Sequence, residues 1–126
     1  MQQIKMLCAF LTTLTLFSCY QVERNCADFK TGKFEFRQNI NGAEKTSVFE
    51  RNDSLQIETF DGTTDTASIR WVNDCEYVLQ KLHPKNMQEK KAINIKILTT
   101  NTKGYQFEYS FVGDSKKQKG FVTKIQ

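Results

Sequence analysis

Cysteine and histidine are the side chains of this 126-residue chain best suited to metal, redox or nucleophilic chemistry, and there are four of the first and one of the second. Neither Cys26 nor Cys75 has a partner at C-x-x-C spacing, which argues against a zinc site and against a thioredoxin-like dithiol. His83 stands beside Pro84 with Lys81 and Lys85 nearby, not a nucleophile or carboxylate, so it reads as a solvated loop residue and not a general base. No HExxH, GxSxG, P-loop, GxGxxG or EF-hand pattern occurs. Asp53, Asp61, Asp65 and Asp74 fall among turn-forming residues, where Asp serves its own backbone hydrogen bonding. Neither a metal nor a cofactor is expected, and the chain is read as a non-enzyme.

Cys19 is different, because of what precedes it. Residues 1–18 carry Lys5 and then an apolar run from Met6 to Phe17, interrupted only by threonines. A membrane-spanning helix needs roughly 20 apolar residues, so a run this short reads as the core of a signal peptide. Leu16-Phe17-Ser18-Cys19 then resembles the lipobox of bacterial lipoproteins, with Leu three before the cysteine and a small residue just before it. The resemblance implies cleavage between Ser18 and Cys19, a diacylglycerol thioether on Cys19 and an acylated amino terminus. An ordinary secretory leader with an incidental Cys19 is the alternative. Each buried methylene of a lipid contributes about 0.8 kcal/mol, so two or three chains anchor a protein for good. Tyr20 stands where Asp would retain an inner-membrane lipoprotein, which points to the outer membrane of a cell envelope. Residues 19–28 are then a short lipidated tether and residues 29–126 the folded domain.

With Cys8 removed in the leader and Cys19 consumed by lipid, Cys26 and Cys75 remain. In an exported protein an even remainder reads as one disulfide. Two free buried thiols are the alternative.

The composition, 39% hydrophobic and 25% charged with one proline, fits one globular domain. From Gly32 onward apolar and polar residues alternate, the mark of half-buried antiparallel strands. The runs are 32–38, 46–51, 54–60, 64–72, 75–81, 93–99, 105–112 and 119–125. Asn41-Gly42, Arg51-Asn52-Asp53, Asp61-Gly62, Asn73-Asp74, Lys103-Gly104 and Gly113-Asp114 separate them, and residues of these types suit tight hairpin turns. Only 82–92 is a longer link, with room for a helical turn over 86–91. Short links make a meander, since parallel strands need long crossovers. An all-β meander of about eight strands must bury its apolar face and its edges. The expected architecture is a small barrel or strongly curled sheet, with a two-sheet sandwich as the alternative.

Trp71-Val72-Asn73-Asp74-Cys75-Glu76-Tyr77 looks like the turn between a tryptophan strand and a Cys-x-Tyr strand in small secreted lipocalin-like proteins. Together with 19–26, Phe29-Lys30-Thr31-Gly32 and 116–120, it resembles a group of short bacterial lipoproteins without established activity. Members of that group often carry the label DNA topoisomerase IV. Such an enzyme is many times longer, needs a tyrosine in a DNA-cleavage domain and works in the cytoplasm. The label does not suit a lipid-anchored β domain.

Phe34, Phe36, Trp71, Tyr77, Phe107 and Tyr109, with Tyr105 and Phe111, form either a filled core or the wall of a cavity for an apolar ligand. Charge divides along the chain: 19–75 holds seven Lys/Arg against ten Asp/Glu, and 76–126 ten Lys against four, so −3 and +6 sum to +3. The basic half suits a solvated surface or contact with an envelope polyanion, while an envelope address argues against nucleic acid. The expected partners are the membrane, through Cys19, and a small apolar ligand or an envelope protein, with the chain itself a monomer. A structural or accessory lipoprotein with a packed core is the second expectation.

Overall fold

The computed structural model describes residue 22 and residues 24–126; the leader and Cys19 lie outside the described residues. Alternation becomes eight strands: β1 (Gly32–Ile40), β2 (Ala43–Arg51), β3 (Leu55–Phe60), β4 (Thr63–Asn73), β5 (Glu76–Lys81), β6 (Ile93–Thr100), β7 (Gly104–Phe111) and β8 (Gln118–Lys124). Each pairs antiparallel with the next, and β8 returns to β1, so the meander closes into a barrel. The small barrel expected from the sequence is thus the form observed, and the two-sheet sandwich is excluded.

Local chemistry explains the turns. Asn41 and Gly42 lie at φ 53° and 82°, and Asp61 and Gly62 at 49° and 77°. Positive φ at both central residues is the type I′ geometry that matches the right-handed twist of paired strands. Register slips between Trp71 and Asn73 and between Ile97 and Thr99 mark bulges that help bend β4 and β6 around the barrel.

The barrel has two unlike ends. At one end, residues 24–29 cover the opening. Cys26–Phe29 form a single 3-10 turn whose Cys26 and Phe29 are buried. Cys26 is bonded to Cys75 in the β4–β5 turn, so the expected disulfide is present. Arg24 donates to the Ile97 carbonyl at 2.6 Å, the Asn25 N–H to the Thr100 hydroxyl at 2.8 Å, and Lys124 Nζ to the Asp28 carbonyl at 2.7 Å. Residues 24–28, given to the tether by the sequence, are thus held on the barrel, because Cys26 and Phe29 supply a covalent and an apolar attachment. At the other end lie the turns at 41–42 and 61–62 and the links 82–92 and 112–117.

The closing seam is short. β1 meets β8 only at Phe34–Phe36 against Val122–Lys124, extended toward the covered end by bonds between Lys33 and residues 125–126. Beyond Phe36 the two strands part. Both faces of the wall, Phe36 and Gln38 from inside and Arg37 and Lys119 from outside, line the groove between them.

Candidate functional site

Side chains fill the covered half of the interior. Phe34 and Phe49 stack at 5.2 Å, Phe29 meets the edge of Tyr105 at 5.4 Å, and Trp71 packs on Tyr77 at 4.6 Å. The open half is not filled. A cavity of about 420 Å³ runs inward from the end where residues 82–92 lie. Its volume falls in the range of small-molecule pockets. An eight-stranded barrel leaves an interior just wide enough for its own side chains or one small ligand, and this one divides its length between the two.

The aromatic residues sort by depth. Phe36, Tyr77, Phe107 and Tyr109 line the cavity together with Tyr105, Phe111, Ile93 and Ile95. Phe34 and Trp71 do not; Phe34 lies in the covered core, where β1 opens, and Trp71, partly buried, packs against that core where β4 reaches it. Gly120 is part of the reason the cavity exists: a Cβ there would come within 3.0 Å of both Phe36 and Phe107, so glycine lets these two rings lie back against the wall.

Sequence pattern misleads on β3. Alternation of Leu55 and Ile57 with Gln56 and Glu58 would place the apolar pair inside, but Gln56 is buried and Ile57 is exposed. Register explains the inversion, because Gln56 sits opposite Arg51 and Glu58 opposite Phe49, both of which point inward from β2. Glu58 accepts from the buried Ser47 hydroxyl at 2.9 Å, which satisfies a polar pair on the inner wall. Asp65, read as a turn residue, lies within β4 and lines the mouth.

At that mouth Lys81 bridges Glu89 at 2.9 Å and Asp65 at 3.6 Å, and Glu89 also accepts from the Lys85 N–H at 2.7 Å. The Lys85 N–H and then the Lys81 ammonium hold the Glu89 carboxyl below its ordinary pKa. The Glu89 contact, ahead of the opposing effect of burial, raises Lys81. These bonds pin the 82–92 link beside the opening; in place of the helical turn expected over 86–91 the chain makes a non-helical turn at residues 87–90. His83 is exposed in that link. Among the described residues no three His, Cys, Asp or Glu side chains gather as a metal site.

The floor of the cavity is polar. The Tyr77 and Tyr105 hydroxyls lie 3.4 Å apart, and Arg51, behind them, donates to Tyr105 at 2.8 Å. Burial, ahead of the neighbouring Tyr77, pushes the Tyr105 phenol well above its ordinary pKa, with Arg51 opposing. It therefore stays neutral at any physiological pH. Burial works against the Arg51 charge while the two tyrosines favour it, and the net direction is upward, so the guanidinium remains a cation.

Comparison with known protein families, characterised proteins and solved structures finds no match for this chain.

Proposed function

We propose that this protein is a non-enzymatic, lipid-anchored envelope lipoprotein whose barrel carries a small apolar ligand. The observation that carries this reading is the 420 Å³ cavity, whose wall joins Phe36, Phe107, Phe111, Ile93 and Ile95 and whose polar and charged residues include Asp65, Lys81 and Glu89 at the mouth. A protein of this size that needed only a scaffold would gain by filling that space, since a void forfeits packing contacts on every side. The lipobox-like Leu16 to Cys19 supports the anchor. Attachment of Arg24 at the covered end supports an orientation as well. Four residues separate Cys19 from Arg24, five steps along the chain that reach roughly 17 Å at full extension, so the covered end would face the anchoring bilayer and the mouth would face away from it.

Two experiments test the two halves of the reading. Cys19→Ser is expected to move the protein from the membrane fraction to the soluble one and to abolish acyl labelling; retention of both would refute the anchor. Native mass spectrometry of the full chain carrying Cys19→Ser, recovered from its host's envelope extract, is expected to show an added mass that denaturation removes. A bare polypeptide mass would shift the reading to an accessory lipoprotein that works through surface contacts. Trp71 is a poor reporter for this purpose, since it packs against the covered core and is not in the cavity wall.

A further inference from the structure

A cation without an anion lies behind the cavity floor. Arg51 ends β2 pointing inward and is 2% exposed. Its guanidinium carbon lies 4.5 Å from the centre of the Phe34 ring, 4.8 Å from Tyr77 and 5.4 Å from Phe49, with Trp71 and Tyr105 at 5.9 Å. Nη2 donates to the Tyr105 hydroxyl, whereas Nε and Nη1 have no partner. Among the described residues no carboxylate stands within ion-pair distance of it. Gln56, its partner across the β2–β3 ladder, is also buried, lines the cavity and has an unsatisfied carboxamide oxygen.

Aromatic faces offset part of the cost of burying this charge, yet a buried cation with idle donors is destabilising compared with an apolar side chain of the same length. Core packing asks for no charge at this place. An anion does: a guanidinium with free N–H groups in a water-poor site is the strongest kind of carboxylate receptor available to a protein. The two tyrosines connect it to the cavity. Both line the cavity, and the Tyr105 hydroxyl, which accepts from Arg51, lies 3.4 Å from that of Tyr77.

We propose that the ligand is a carboxylate-ended amphiphile bound head-first, its carboxylate received by the Tyr77 and Tyr105 hydroxyls over the Arg51 cation and its apolar chain lying between Phe36, Phe107 and the mouth. A single cation flanked by neutral donors matches a head group of one negative charge. This inference rests on the ligand-carrier reading above and specifies the chemistry of its ligand.

Titration calorimetry of the full chain carrying Cys19→Ser with dodecanoate and with dodecanol at pH 7.5 tests it. The acid is expected to bind at least tenfold more tightly than the alcohol. That advantage should vanish in Arg51→Met, shrink in Tyr105→Phe and leave dodecanol affinity little changed in both. Thermal unfolding of Arg51→Met is expected to be no lower than that of the parent, because the idle charge is gone. A residue needed only for packing would lower it. If Arg51→Met does not fold, the acid-to-alcohol ratio in the unmodified barrel and in Tyr105→Phe still decides. Equal affinity for acid and alcohol, or an advantage that survives Arg51→Met, overturns the head-group assignment and leaves the carrier reading standing. Binding of neither probe overturns both.

Discussion

Replacing Cys26 and Cys75 together by alanine is expected to lower stability by about 4 kcal/mol. The disulfide spans 49 residues of sequence, and closing a loop of that length removes chain entropy from the unfolded state worth about 4 kcal/mol at 25 °C in the loop-closure model. For a domain of this size the loss corresponds to a fall of roughly 15–25 °C in melting temperature. Thermal unfolding followed by circular dichroism, with the parent protein compared with and without reductant, measures it. The effect should be local as well as global, because the bond ties the 3-10 turn that covers the barrel to the β4–β5 turn beneath it. A change of less than ~1 kcal/mol would mean that Phe29 packing and the Arg24 and Asn25 hydrogen bonds hold the cover without it.

Gly104→Ala should be nearly as damaging, at about 3 kcal/mol. An added Cβ would stand 1.8 Å from the Val122 carbonyl oxygen and 2.8 Å from its carbon, and both are backbone atoms of the neighbouring strand. No side-chain rotation relieves that, so β7 and β8 would have to part where Gly104 pairs with Thr123. Gly42→Ala is the contrast. A Cβ there meets nothing within 4 Å, and the penalty is the positive φ of 82° alone, about 1 kcal/mol. Urea unfolding of the two variants beside the parent would show the difference, and equal midpoints would refute the steric account.

How far the chain could be read without coordinates depends on the scale of the signal. Strands and turns were legible because alternation over six to eleven residues and Asn-Gly or Asp-Gly turns are local patterns, and the pairing of each strand with the next follows from short links. The cysteine pair was legible by counting. The cover at residues 24–29 was not, since four residues of 3-10 turn are too few to show periodicity. Nor was the polar interior. Gln56 and Glu58 look like the outer face of β3, and Arg51 looks like part of the turn that follows it. One signal was present: Phe49 and Arg51 share parity on β2, so burying the phenylalanine directs the arginine inward too. Polarity at a strand end is normally a sign of exposure, and only the register with its neighbours reverses that inference. The division of aromatics between packed core and cavity wall is likewise a property of depth along the barrel, which period-two patterning does not encode.

The short seam sets how this barrel can deform. A cylinder of strands has no edges only where its ladder is complete, and here the ladder between β1 and β8 stops at Phe36 and Val122. Above that point Arg37 to Ile40 and Gln118 to Phe121 are two free selvedges side by side. At the covered end the seam is held by this ladder and by the bonds between Lys33 and residues 125–126, so the wall parts more readily from the top downward, like a collar unbuttoned at the neck. Parting of this kind widens the mouth while the floor at Arg51 and Tyr105 keeps its shape. A ligand longer than the cavity would then leave its tail in the slit, and the binding of its head would not depend on its length.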